Sequence, residues 1–300
     1  MKKIMNTDLT AKKFAMCTLG ALMLFPCTGC EREENVSAPP PDAPASYGDY
    51  DLVWSEEFDY EGLPSDDVWV YEEGYMRNNE QQDYKVANTK YSRVEDGRLI
   101  IEAFEDAHTG EKNGTVYEFT HSSASVTTKG KVGFQYGRLD VSARIPRGRG
   151  IWPAIWMRPV DNLFGGVYAE LDIMEYVWGD NLNHDMIWAT VHNQDSRDGK
   201  ESQQRTNTIA SPSLDTEFHT YSVVWTETCV DFLFDDEPVL SFPKQNSTYE
   251  HWPFDQPFFL ILNVAVGGSW GGEWGIDNSI FPARMEVDYV RYYKKTEQKS

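Results

Sequence analysis

Apolar and polar residues alternate strictly along Leu139-Asp140-Val141-Ser142-Ala143-Arg144-Ile145. That period of two turns one face of a strand to a core and the other to solvent. Arg98 to Ala103, Tyr221 to Trp225, Val230 to Phe234 and Met285 to Tyr292 read as further strands, separated by clusters of Gly, Asp, Asn and Pro. No window keeps a helical period beyond about three turns, and no repeat of fixed length is visible. Many strands without a helical layer predict an all-β fold, a jelly-roll sandwich of two curved antiparallel sheets. One sheet's outer face is then free to form a concave groove.

One apolar run, Phe14 to Phe25, has a different character. It follows Lys2, Lys3, Lys12 and Lys13 and is too short to span a bilayer comfortably as a permanent helix. Residues 1–29 therefore read as a secretory leader. The leader ends in Cys27-Thr28-Gly29-Cys30. Small residues directly before a cysteine resemble the processing site of bacterial lipoproteins, which would make Cys30 the lipidated N-terminus. Cys27, after a proline, fits that role less well, and a plain secretory leader is the alternative. Glu31-Arg32-Glu33-Glu34 is similar to the acidic tag of some surface-exported lipoproteins, and Ala38-Pro39-Pro40-Pro41-Asp42-Ala43-Pro44 makes a stiff extended spacer. The expected division is leader 1–29, linker 30–47, one globular domain 48–295 and a tail 296–300. The expected location is the outer membrane, anchored through Cys30 and facing the cell surface or the periplasm.

Composition narrows the partners. The 300 residues hold 27 Lys and Arg against 48 Asp and Glu, a net charge of −21. Lys2, Lys3, Lys12 and Lys13 against Asp8 give the leader +3, so the remainder carries −24. A chain that acidic repels phosphate backbones, which excludes nucleic acid and disfavours anionic polymers. Of the four cysteines, Cys17, Cys27, Cys30 and Cys229, only the last lies in the body, so neither a disulfide nor a cysteine zinc site forms there. The 15 Phe, 10 Trp and 16 Tyr suit a β core, with some left to serve as flat platforms in a cleft. A monomer is expected.

The chemistry concentrates in Glu170-Leu171-Asp172-Ile173-Met174-Glu175. On a regular strand Glu175 would point away from Glu170 and Asp172. One extra residue at Ile173-Met174, a β-bulge, returns it to their face, with Leu171 and one of Ile173 or Met174 entering the core. Four strand steps of about 3.3 Å separate the two glutamate backbones by about 13 Å. Leaning side chains can close this to about 5–6 Å, the spacing of a retaining glycosidase. Asp172 between them would orient a neighbour and oppose its ionisation. On these six residues alone, a solvated acidic strand or a calcium site stays open.

The flanks add a resemblance. Gly150-Ile151-Trp152-Pro153-Ala154-Ile155-Trp156-Met157, the run from Trp252 to Gly268, Asn78-Asn79-Glu80, Tyr136-Gly137-Arg138 and Val287-Asp288-Tyr289-Val290-Arg291 closely resemble glycoside hydrolase family 16. The laminarinase-like endo-β-1,3-glucanases are the nearest pattern, over about Leu52 to Tyr293. The resemblance implies a β-jelly roll and assigns Glu170 as nucleophile, Asp172 as assisting carboxylate and Glu175 as general acid/base. It implies substrate contacts by Trp152 and Trp156, stacking on glucosyl rings, by Asn79 and Glu80 at the glycone end, by His192, and by Trp270. The last lies in a glycine-rich loop where a sugar would approach the backbone. No cofactor is implied for catalysis, but a structural calcium at Glu57, Gly97 and Asp288 is.

Two departures bear on substrate. Gly165-Gly166-Val167-Tyr168-Ala169 stands where the family commonly has Trp-Pro-x-x-Gly, so a leaving-group platform is missing or replaced by Tyr168. Ser123-Ala124-Ser125 stands where the family has Ser-Ala-Arg, removing an arginine that reaches the glycone subsites. The expected activity is retaining, endo-acting hydrolysis of β-1,3 bonds in a β-glucan. A mixed-linkage β-1,3-1,4-glucanase and a non-catalytic glycan-binding lipoprotein are the alternatives. Gly267-Gly268-Ser269-Trp270-Gly271 satisfies G-x-S-x-G, but Gly272-Glu273-Trp274-Gly275 will not start the helix a nucleophile elbow needs.

Overall fold

Two sheets face each other across one apolar core in the computed structural model, which describes residues 44–161, 164–179, 184–198 and 205–296. Cys30, the leader and nearly all of the linker lie outside the described residues. The larger sheet runs Glu237–Pro243, Cys229–Phe234, His219–Trp225, Gly137–Arg144, Ala283–Lys295, Arg98–Lys112, Thr115–Ser123 and Gln82–Tyr84, with short strands at its margin. The second sheet has seven strands in the order Arg205–Ala210, Met186–Asn193, Ala169–Tyr176, Ile151–Pro159, Phe258–Val266, Ser125–Thr127 and Val70–Tyr71. Pairing is antiparallel apart from Gln82–Tyr84 beside Thr115–Ser123. Helix is limited to the single turns Gln194–Arg197 and Asn278–Ile280 among the described residues. The all-β sandwich expected from the alternation is the fold observed.

Alternation decides which residues meet. Ile155, Met157, Leu171, Val191, Leu262 and Val264 face inward from the seven-stranded sheet. They share one cluster with Leu99, Ile101, Leu139, Val141, Val223 and Val287 of the other sheet. Each such side chain contributes about 1.5–3 kcal/mol by leaving water. The intervening positions of the seven-stranded sheet, Trp152, Trp156, Glu170, Asp172, Thr190 and Asn263, occupy its outer face, and there the site forms.

Two boundaries differ from expectation. The strand predicted over Arg98–Ala103 continues to Lys112 and pairs with Thr115–Ser123. Its second half alternates half-buried and exposed positions, so few strongly apolar residues mark it. The fold also begins before residue 48, because Ser46–Tyr47 pairs with Tyr50–Glu56. Tyr47 packs edge-on against Tyr293 at 5.1 Å and beneath the Arg138 guanidinium at 3.8 Å, aromatic anchoring that a linker would not have. The last strand ends at Lys295, and the Thr296 N–H donates to the Asp49 carbonyl at 2.8 Å.

Candidate active site

The acidic strand carries its extra residue where the spacing requires it. Trp156 stands opposite Asp172 and Ile155 opposite Met174, so Ile173 has no partner on that side. On the other side Thr190 faces Asp172 and Trp188 faces Glu175, leaving Ala189 to oppose both Ile173 and Met174. This two-against-one pairing is a β-bulge. Both Ile173 and Met174 enter the core, where the sequence reading admitted only one of them. Two consecutive inward side chains are what bring Glu175 back to the face of Glu170 and Asp172.

The three carboxylates line a cleft of about 510 Å³. Each has different company. Glu170 Oε2 accepts from Tyr168 O–H at 3.0 Å and Arg158 Nη1 at 3.1 Å. Asp172, almost fully buried, has one carboxylate oxygen 3.0 Å from His192 Nε2, which is also 3.8 Å from Glu170. Glu175 Oε1 accepts from the Trp152 indole N–H at 3.1 Å.

Those environments set the proton affinities. Burial, then the Asp172 charge, pushes Glu170 up to about 7, while His192 and Arg158 pull the other way. Burial, then Asp172 and Glu170, holds Glu175 well above the ordinary carboxylate range, and the Trp152 N–H only partly opposes this. Burial works against a charged His192, but Asp172 and Glu170 outweigh it and raise its affinity for a proton. Two buried carboxylates, one held by a cation and the other by a neutral indole, have the makings of a nucleophile and an acid.

The remaining predicted contacts divide. Glu80 lines the cleft, buried, with Gln82 Nε2 donating at 2.7 Å and Asn78 Nδ2 at 3.2 Å. Asn78, not Asn79, is the asparagine of the cleft wall; Asn79 is exposed with its N–H on the Tyr75 hydroxyl. His192 lies in the cleft as expected. Trp152 and Trp156 line it too, but at 8% exposure each they are walls rather than open platforms. Trp156 donates to Asn263 Oδ1 at 2.7 Å and lies under the Arg77 guanidinium at 4.8 Å. Trp270 stays behind the cleft wall, edge-on to Trp152 at 5.4 Å and to Trp188 at 5.3 Å. Its glycine loop serves packing: a Cβ at Gly271 would meet the Gly267 carbonyl at 2.6 Å and Trp152 Cβ at 3.0 Å. Arg77, Arg158, Arg197 and Asn263 also line the cleft without having been singled out; Arg158, two residues after Trp156, and Asn263, the lone polar residue of an apolar run, were within reach of a face argument, and no local motif marks Arg77 or Arg197.

Metal binding is a separate question. Glu170, Asp172 and His192 bring one donor atom each within 4.8 Å of one another. Arg158 and Tyr168 already hold Glu170, so the cluster reads as acid–base machinery rather than a cation site. Elsewhere, Arg291 holds both carboxylate oxygens of Glu57 at 2.9 Å. Asp288 is half-buried with no hydrogen bond among the described residues, and burial raises its proton affinity. Glu57 and the Arg98 beside Gly97 both act on its charge. The Glu57 side chain is thus engaged by Arg291 and not offered to a cation, and Arg291 acts on Asp288 as well.

A β sandwich whose outer sheet face gathers two buried glutamates and an aspartate in a cleft points to a glycoside-cleaving class. The chain belongs to glycosyl hydrolases family 16, whose model matches residues 80–291. It is 41% identical over 259 residues to a beta-glucanase of Rhodothermus marinus, covering 83% of this chain and 86% of that one. The solved laminarinase of Rhodothermus marinus superposes with a TM-score of 0.74 at 40% identity, over 83% of this chain and 98% of its own. SCLam, a non-specific endo-β-1,3(4)-glucanase of the same family, matches with a TM-score of 0.74 at 35% identity, over 88% of this chain and 98% of its own. The chain is a glycoside hydrolase, and catalysis in it needs no cofactor.

Proposed function

We propose that this hydrolase cuts internal β-1,3 bonds of a laminarin-type glucan by double displacement with retention. Glu170 is the nucleophile, Glu175 the acid and then the base, and Asp172 the carboxylate that keeps Glu175 protonated. The observation carrying this reading is the bulge that sets Glu170, Asp172 and Glu175 on one cleft face, with Glu170 held by Arg158 and Tyr168 and Glu175 by the neutral Trp152 indole. Cations oppose the rise of Glu170 and none is among the groups acting on Glu175, so Glu175 is the one suited to hold a proton for the leaving oxygen and Glu170 the one suited to ionise and attack. The beta-glucanase and laminarinase relatives support the substrate class.

Mixed-linkage β-1,3-1,4-glucan is the second reading. Ser125, where the family's glycone arginine is missing, donates its hydroxyl to Glu72 at 2.7 Å and does not reach the sugar channel as an arginine would. Product analysis on laminarin, barley-type mixed-linkage glucan and agarose separates the readings. Glu170→Ala should lose about a thousandfold or more of laminarin turnover, and Glu175→Gln should lose cleavage but keep binding. Retained turnover in Glu170→Ala would remove the nucleophile and leave a glycan binder.

Two further parts of the reading rest elsewhere. The sequence around Cys30 supports a lipid anchor to the outer membrane, and Cys30→Ser should move the protein from the membrane to the soluble fraction. The donor-free Asp288 supports a structural calcium. Chelation should lower the melting temperature of the wild type and not of Asp288→Ala; at a hundredfold excess over Kd, calcium would contribute about 2.7 kcal/mol.

A further inference from the structure

Glu170 is the acid with two donors gathered on one oxygen. Oε2 accepts from both Tyr168 and Arg158, at 3.0 and 3.1 Å, whereas Oε1 has, among the described residues, the more distant His192 at 3.8 Å. The donors are themselves fixed. Tyr168 donates its backbone N–H to Gln194 Oε1 at 2.9 Å, and its ring carries the guanidinium groups of Arg158 at 4.7 Å and Arg197 at 4.5 Å. Burial and the Glu170 charge keep the Tyr168 phenol protonated, so it remains a donor throughout the working pH range.

We propose that Arg158 and Tyr168 form a positioning clamp that gives the two oxygens of the nucleophile different tasks, Oε1 to attack and Oε2 to remain with the protein. This rests on the reading of Glu170 as nucleophile. In the first step Oε1 bonds to the anomeric carbon, the bond to the leaving oxygen breaks, and that oxygen takes the Glu175 proton. Oε2 is then the ester carbonyl, still held by the clamp. In the second step Glu175 takes a proton from water, the water oxygen bonds to the anomeric carbon, and the C–Oε1 electron pair returns to Glu170. The clamp receives the restored carboxylate, which favours that departure. Tyr168 thereby occupies the stretch where the family's tryptophan platform is missing, but its ring is engaged by arginines rather than offered to a sugar.

The groups facing Glu170 are Asp172 and Glu175 on its own strand, Tyr168 before it, Arg158 on the strand Ile151–Pro159, His192 on Met186–Asn193, and Arg197 through Tyr168. The test is the pH profile of kcat/KM on laminarin for wild type, Arg158→Leu, Arg158→Lys and Tyr168→Phe, each checked for an unchanged melting temperature. Arg158→Leu should move the acidic limb up by about one pH unit, since a cation in contact lowers a carboxylate by about 1–3 units. Tyr168→Phe should move it the same way by less, and Arg158→Lys should restore most of the wild-type limb. The Arg158→Leu shift should persist in a His192→Asn background, which separates Glu170 from the histidine. An unmoved acidic limb in both Arg158→Leu and Tyr168→Phe would overturn the clamp, as would loss of the shift with His192→Asn. Neither result touches the nucleophile assignment, which falls only if Glu170→Ala stays active.

Discussion

At the scale of single residues, the cleft works by giving like groups unlike surroundings. Glu175 is the clearest case. Its only protein donor among the described residues is the Trp152 indole, and that N–H stabilises the ionised form. Trp152→Phe keeps most of the ring volume and removes the donor, so Glu175 should release its proton less readily still. The alkaline limb of kcat/KM, where the acid is lost, should then move to higher pH. Because a weaker acid assists departure less, kcat should fall by about tenfold. A pH–rate profile checks both signs, and a limb that moved to lower pH would mean the indole favours the protonated form. The same residue shows what a sequence conceals: the motif around Trp152 marked it for the cleft, but nothing local says that its ring is walled in by Trp270 and that its N–H belongs to the acid. The mistake at Asn79 has a similar origin. Asn78 and Asn79 both adopt left-handed backbone angles, at φ 57° and 56°, and neighbouring asparagines in such a turn cannot be told apart by type.

At the scale of elements, legibility follows contrast. Strands whose two faces differ strongly, such as Gly137–Arg144 and Cys229–Phe234, could be read from alternation because one face enters the core. The bulge was legible for a related reason. Three acids cannot share an outward face unless Ile173 and Met174 both turn inward, so chemistry and burial demanded the same kink. Alternation faded in the outer half of Arg98–Lys112, where few strongly apolar residues mark the inward positions. It was also silent about Arg77. Arg77 is placed by its ion pair with Glu72, which Ser125 from a distant strand holds in turn, and then by the Trp156 ring. Chains of contact between segments so far apart leave no periodic trace. The glycine loop was legible as a place of close approach, and within the fold its lack of side chains lets it close against Trp152 and Glu80.

At the scale of the whole molecule, the site is held against the preference of its own charges. Glu170 and Glu175, and with them Glu56, Glu80 and Asp140, bind protons more tightly in the fold than an exposed carboxylate does, burial being the first cause for each. For a group whose folded value is raised, the stabilising contribution is complete below its ordinary range and disappears as pH rises through the folded value. For Glu170 that window runs from its ordinary 4.5 to about 7, and Glu175 is raised in the same direction. Replacing the Glu175 carboxyl by an uncharged group should therefore stabilise the protein increasingly as pH rises above the ordinary 4.5, where the unfolded chain ionises and the fold resists, and change little below it. Glu175→Gln is expected to melt several degrees above wild type at pH 8, at about 2–4 °C per kcal/mol for a domain of this size, and to converge with it near pH 5. The chain's overall negative charge adds repulsion as pH rises, but almost equally in both proteins, so the difference between them isolates one carboxylate. Thermal scans of the two across that range decide the matter. A Glu175→Gln variant less stable than wild type at pH 8 would mean that the fold welcomes the ionised form, and Glu175 could not then be the group that waits with a proton for the leaving sugar.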